Sequence, residues 1–144
     1  MANVISDKAP ESHFRLSKIS GKRVIAENGE VIGNVRDVAV TKDKVIGIYA
    51  SSSAGEVFIA RSFVKAFDSD SIILKISPVT SLVGKVVFDK DGKRVGKVNE
   101  VTRIGTSNQL KEIVVKKNPL SKALRFSKRD IDVMNKNIIL KKVL

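Results

Sequence analysis

Short clusters of Val, Ile and Leu recur along the chain, separated by glycine-bearing polar turns rather than held at the three-and-four spacing of an amphipathic helix. The first cluster, residues 22–26, reads as a strand ending at Asn28-Gly29. Asn-Gly is a strong signal for a tight hairpin, because both central residues of a type I′ turn need positive φ. The next strand covers about residues 30–40 and contains Gly33, where the apolar phase changes: Val31 and Val35 share one parity, Val38 and Val40 the other. A bulge or bend at Gly33 accounts for the switch, and bent strands suit a small barrel. Two further strands follow at residues 45–50 and 57–60. A single helical turn comes next, with Ser62 as its cap and Phe63 and Phe67 at i, i+4 toward the core. Residues 71–76 supply the last strand.

The succession then repeats at an offset of 63. Ile19-Ser20-Gly21-Lys22-Arg23-Val24 answers to Leu82-Val83-Gly84-Lys85-Val86-Val87, and Asn28-Gly29 to Asp91-Gly92. Ile32-Gly33 answers to Val95-Gly96, and Val35-Arg36-Asp37-Val38 to Val98-Asn99-Glu100-Val101. The offset grows to 65 between Ile48 and Ile113, and to 66 where Ile72-Ile73-Leu74-Lys75 matches Ile138-Ile139-Leu140-Lys141. The second copy should pair strands 110–116 and 123–126, then make a helical turn with Asp130 as cap and Ile131 and Val133 in the places of Phe63 and Phe67. A strand over 137–143 closes it. Gly29, Gly33, Gly92 and Gly96 are therefore structural turn positions. The chain reads as all-β: two tandem small barrels, each of about five strands and a short helical turn. Their spans are 14–77 and 78–144, after a flexible tail at 1–13, with an extended junction near Ser77-Pro78. A module of this size buries only about 60% of its unfolded surface, so the two should pack together.

Composition narrows the core and the compartment. The 144 residues are 42% hydrophobic but include only six Phe and one Tyr, so the interior must be aliphatic and largely β-branched. Without Cys there are no disulfides, thiolate metal sites or thiol nucleophiles, which fits a reducing cytoplasm. No apolar run approaches about 18 residues and no signal-peptide pattern opens the chain, so a soluble protein is expected. The net charge of +12 is uneven: residues 1–77 hold 11 Lys/Arg against 9 Asp/Glu, residues 78–144 hold 16 against 6. A basic second half points to an acidic partner, a nucleic acid or an anionic surface, or to plain solubility.

Few residues are placed for catalysis. His13 is the one histidine and stands in the expected tail. Gly92-Lys93-Arg94-Val95-Gly96-Lys97 has the composition of a phosphate loop but the wrong spacing. Asp89-Lys90-Asp91-Gly92 opens like a calcium loop, yet its Gly comes too early and no bidentate Glu follows. No catalytic set, metal site or cofactor is expected. Asp37 and Glu100 hold equivalent strand positions, read as local hydrogen-bond acceptors with a shared binding face as the alternative. The remaining candidate is the acid-free basic series Lys116, Lys117, Lys122, Arg125, Lys128 and Arg129, with residues 117–121 as an exposed hairpin loop. It is open to three readings: solvated surface, a dock for an acidic protein, or a weak, salt-sensitive phosphate site with only Phe126 nearby for stacking.

The pattern of Ile19 or Leu82, then Gly-Lys-x-Val, then Asn/Asp-Gly, then Gly-x-Val-x-Asp/Glu-Val resembles the PRC-barrel family over nearly the whole chain. Gly21, Lys22, Val24, Gly29, Gly33, Val35, Asp37 and Val38 carry the likeness in the first copy. Gly84, Lys85, Val87, Gly92, Gly96, Val98, Glu100 and Val101 carry it in the second. Many members place Pro ahead of the helical turn, where this chain has Ala60-Arg61 and Ser127-Lys128. The resemblance implies a non-enzymatic interaction module. Its known settings are a photosynthetic reaction-centre subunit, the ribosome maturation factor RimM, and small cytosolic archaeal proteins that act as scaffolds at an FtsZ-based division ring. The tandem architecture is most similar to the last, which implies a homo- or hetero-oligomer. Its partner would be a division component such as SepF or a paralogous PRC-barrel chain, with recruitment to the division site and no membrane insertion. RNA or ribosome-assembly binding is the alternative.

Overall fold

The computed structural model describes residues 5–9, 11, 13 and 15–144. The expected N-terminal tail falls partly outside these residues, and its described positions are exposed.

Each repeat is one six-stranded sheet curled around its own core. In the first, β1 (Arg23–Ile25), β2 (Val31–Thr41), β3 (Lys44–Ser52), β4 (Gly55–Ala60), β5 (Val64–Phe67) and β6 (Ser71–Leu74) take the order β4-β3-β2-β1-β6-β5. In the second, β7 (Val86–Phe88), β8 (Arg94–Arg103), β9 (Leu110–Lys116), β10 (Leu124–Ser127), β11 (Ile131–Met134) and β12 (Ile138–Leu140) take the matching order β10-β9-β8-β7-β12-β11. Among the described residues only β1–β6 and β7–β12 pair in parallel. The edge strands of each sheet are consecutive in the chain, joined by one 3-10 turn (Arg61–Phe63 or Lys128–Asp130), so that turn draws the open side of the barrel together.

Six strands stand where about five were expected, because the helical segment is shorter. Phe67 lies in β5, and Phe63 and Phe67 are exposed rather than turned to the core. The first turn has no side-chain cap, so Ser62 does not serve as one. In the second repeat Ser127 is the N-cap and Asp130 its capping-box partner, so Asp130 supports the cap rather than being it. Ile131 pairs with Leu140 as Val64 pairs with Leu74, so Ile131 answers to Val64 rather than to Phe63.

The hairpin turns also differ from expectation. Gly29 and Gly92 have φ of 88° and 85°, but Asn28 and Asp91 are not at positive φ, so these are not type I′ turns. The Gly29 N–H donates to the Ala26 carbonyl (2.9 Å) and the Ala26 N–H to the Glu30 carbonyl (2.8 Å). This is a three-residue loop whose last residue is a left-handed bulge glycine. Asp89, Gly92 and Lys93 repeat it.

Bulges give β2 its unusual apolar spacing. Val24 and Ile25 pair with Gly33 and Val31, leaving Ile32 extra, and a second shift makes Arg36 extra. Each extra residue reverses the strand's facing. The interior positions are therefore Ile32, Val35 and Val38, matched by Val95, Val98 and Val101, whereas Val31 and Val40 are exposed. Gly33 and Gly96 allow backbone contact rather than forming the bulge themselves: a Cβ would lie 1.6 Å from the Ser51 carbonyl oxygen and 2.5 Å from that of Lys116.

The two cores are separate. One is built on Val24, Val35, Ile48, Ile72 and Leu74, the other on Val87, Val98, Ile113, Ile138 and Leu140, residue for residue. Polar contacts join the modules. Lys85 pairs with Glu30. The Asn108 amide donates to the Ser77 carbonyl (3.1 Å) and its oxygen accepts from the Val79 N–H (2.9 Å), clasping the connecting segment.

Candidate functional site

The Gly-Lys lysine of each repeat is largely structural. Lys22, nearly buried, donates to the Asp68 carbonyl (2.7 Å), and Lys85 donates to the Asn135 carbonyl (2.7 Å). Each ammonium thus ties β1 or β7 to the turn between the last two strands of its own barrel. Lys85 also reaches the neighbouring module, through Glu30.

Asp89 is another buried polar residue, weighed in the sequence only as the start of a calcium-like tetrapeptide. Its Oδ1 accepts from the Asp91 and Lys93 N–H groups (2.9 and 3.0 Å), and Oδ2 accepts from the Leu144 N–H (3.3 Å). Burial pushes its pKa up, but the N–H groups of Lys93, Leu144 and Asp91 outweigh it, so the carboxyl titrates below the ordinary 3.8. The calcium-like tetrapeptide is therefore a hairpin braced by its own aspartate. Among the described residues no group of three or more His, Cys, Asp or Glu is placed to hold a metal.

The basic series Lys116 to Arg129 does not form one surface. Arg125 leaves it for an ion pair with Glu112 at 2.7 Å across the β9–β10 pairing. Lys128 and Arg129 line a groove of about 670 Å³ with Lys111 and Lys141, which also contains Asp132. Beside them the Ser127 N–H donates to Asp130 (2.9 Å) and, against some burial, holds that carboxyl below its ordinary pKa. Lys122 is exposed and lines neither groove. Phe126, the one aromatic of the stretch, is in the core, with the Lys142 ammonium 5.9 Å from its ring centre.

Lys116 and Lys117 face a different groove, of about 620 Å³, together with Arg94 and Lys97 from β8. Lys97 sits directly opposite Lys116 in the β8–β9 register. Val83 and Pro119 add apolar lining, Asn99 and Asn118 add amides, and no acid lines the groove. Among the described residues none of the four cations has an ion-pair partner. Arg94 and Lys97, weighed in the sequence only as part of the phosphate-loop-like stretch 92–97, were not joined to the basic run because they stand about twenty residues ahead of it. Gly96, flanked by both strands' lysines, was the available signal, since a glycine at a close backbone approach brings the next strand's side chains alongside.

The first repeat fills the same positions differently. By register, Val31, Asn34, Ser51 and Ser52 stand where Arg94, Lys97, Lys116 and Lys117 stand. There Asn34 donates to the Gly21 carbonyl (3.0 Å), and the Ser51 hydroxyl accepts from the Asn34 N–H (2.9 Å), closing the site with internal bonds. The exposed Phe58 ring lies over Gly47 and 5.5 Å from Tyr49, whereas the second repeat has Arg125 and Glu112 at the Phe58 and Gly47 positions and Val114 at that of Tyr49. Asp37, equivalent to Glu100, accepts from the N–H of the following Val38 (2.8 Å), the local role expected of it.

Comparison with known proteins agrees with this duplicated architecture. A family model for the PRC-barrel domain matches the chain twice, over residues 11–79 and 74–143. A search of curated proteins finds no match. PRC-barrel domains are in general protein- or RNA-interaction modules and typically non-catalytic. With both matches falling on the two barrels and together covering most of its length, the chain belongs to the PRC-barrel family as a tandem of two such domains.

Proposed function

We propose that the chain is a non-enzymatic adaptor whose two barrels present different docking surfaces to partners in a larger assembly. The observation that carries this reading is the contrast between the two copies of one fold. The first has an exposed aromatic pair built on Phe58 where the second has the Arg125–Glu112 ion pair, and the second has an acid-free cationic groove where the first has the bonded Asn34–Ser51 corner. Joining two weak docking modules raises the effective concentration for the second contact, which suits bridging. The Lys85–Glu30 pair and the Asn108 clasp support a fixed spacing between the two surfaces.

In its finer form the proposal sets this adaptor in an FtsZ-based division complex of the archaeal kind. It acts there as a homo- or hetero-oligomer, with SepF or a paralogous PRC-barrel chain as partner. Tagged protein should then collect at mid-cell, and light scattering should report more than one chain per particle. Enrichment on small ribosomal subunits, with a diffuse cytosolic signal, would replace this setting by ribosome assembly.

A further inference from the structure

We infer that the groove formed by Arg94, Lys97, Lys116 and Lys117 is the dock for an acidic peptide segment of a partner protein. The inference rests on the adaptor reading and specifies the chemistry of one of its surfaces.

The fold does not require these cations. The first repeat builds the same strands, bulges and close glycine approach with Val31, Asn34, Ser51 and Ser52. Lys97 and Lys116 are moreover a directly opposed like-charge pair, an arrangement that destabilises a sheet. With no acid in the groove to offset it, the repulsion stands in the free protein and is relieved when an anion enters. The groove is thus poorly suited to stability and well suited to a negatively charged ligand.

Its shape favours a peptide over a nucleic acid. Single strands need exposed aromatic platforms, and Phe126 is buried. A phosphate backbone needs a cationic track, but the basic stretch is divided. Arg125 is held by Glu112, and Lys128 and Arg129 open onto a separate groove that includes Asp132. What remains is one compact cluster flanked by Val83 and Pro119, where an extended segment carrying carboxylates with apolar residues between them finds both of its needs.

The test uses the full chain and the triple variant K97N/K116S/K117S, which installs the first repeat's residues. Binding of a fluorescein-labelled peptide of interleaved Glu and Leu is followed by anisotropy at physiological salt, beside an RNA duplex of matched charge. The peptide should bind the wild type more tightly than the duplex does. The variant should weaken peptide binding by about tenfold or more. Its melting temperature should hold or rise, because an opposed like-charge pair is gone. Unchanged peptide binding by the variant would overturn the inference, and a lower melting temperature would show that the lysines serve the fold. Tighter binding of the duplex, lost in the variant, would make the groove a nucleic-acid site. A native partner still captured by the variant would overturn the groove assignment and leave the adaptor reading intact.

Discussion

The two barrels of this chain are alike inside and unlike outside, and the contrast separates what the fold needs from what it carries. Val24, Val35, Ile48, Ile72 and Leu74 match their counterparts Val87, Val98, Ile113, Ile138 and Leu140 with the same residue at each of the five positions. On the surface the correspondence breaks. Phe58 over Gly47 becomes Arg125 on Glu112, and the bonded Asn34–Ser51 corner becomes two facing lysines. Lys85 lies between these extremes: it keeps the internal bond that Lys22 makes and adds a contact to the other module.

The largest effects should come from the two cores. Ile72→Ala and Ile138→Ala remove equivalent buried side chains, each costing about 2–5 kcal/mol. Because the cores are separate, each variant should lower the melting of its own barrel more than that of the other, which site-resolved hydrogen exchange can check. A single transition shifted equally by both would show one cooperative unit.

The glycines sharpen it further. Gly33→Ala drives a methyl toward the Ser51 carbonyl, and Gly96→Ala toward that of Lys116. Both should destabilise by about 1–3 kcal/mol, with Gly33→Ala the worse because its approach is closer. Equal effects in chemical denaturation would mean that both strands shift freely at this point.

A smaller effect distinguishes the two structural lysines. Lys22→Ala and Lys85→Ala lose the same kind of internal bond, and Lys85 couples to Glu30 besides, so a double-mutant cycle should give about 1 kcal/mol for the Lys85–Glu30 pair.

The least effect should come from acid. Asp89, whose pKa is lowered by folding, contributes stability that is present above its unfolded value near 3.8 and is lost as pH falls through the lower folded value. The first repeat has Ala26 in its place. Asp130, whose carboxyl is likewise held below its ordinary pKa, acts in the same barrel and in the same direction. Below pH 4 the second barrel should therefore weaken more than the first, and Asp89→Asn should reduce the difference, with the remainder removed by adding Asp130→Asn.

The duplication was legible because the strands and turn glycines that build it hold their spacing. Ile48 and Ile113, aligned from their neighbours alone, prove to occupy matching sites opposite Val38 and Val101. The bulges were only half legible. The change of apolar phase was visible, but it arises at Ile32 and Arg36, and nothing in an isolated strand says which residue its partner leaves unpaired. The helical corner misled because Phe63 and Phe67 carry a helix-like spacing by coincidence, while backbone pairing with β6 makes the second of them a strand residue. The groove was hidden for a more general reason. Lys97 and Lys116 are brought together by register, and a run of charge in sequence shows neither the opposing strand nor an absorbing partner such as Glu112. The module contact was hidden likewise, since Asn108 lies in the longer β8–β9 loop for which the first repeat has no counterpart.

The central claim, that equivalent positions on the two barrels have diverged into one binding groove and one closed corner, is tested most directly by a backbone amide NMR titration of the 15.7 kDa chain with the Glu-rich peptide. Saturable shifts should concentrate on Gly84, Arg94, Lys97, Asn99, Lys116 and Lys117, with Gly21, Asn34, Ser51 and Ser52 unmoved. Shifts of equal size at both sets of positions, or shifts confined to the first barrel, would contradict it.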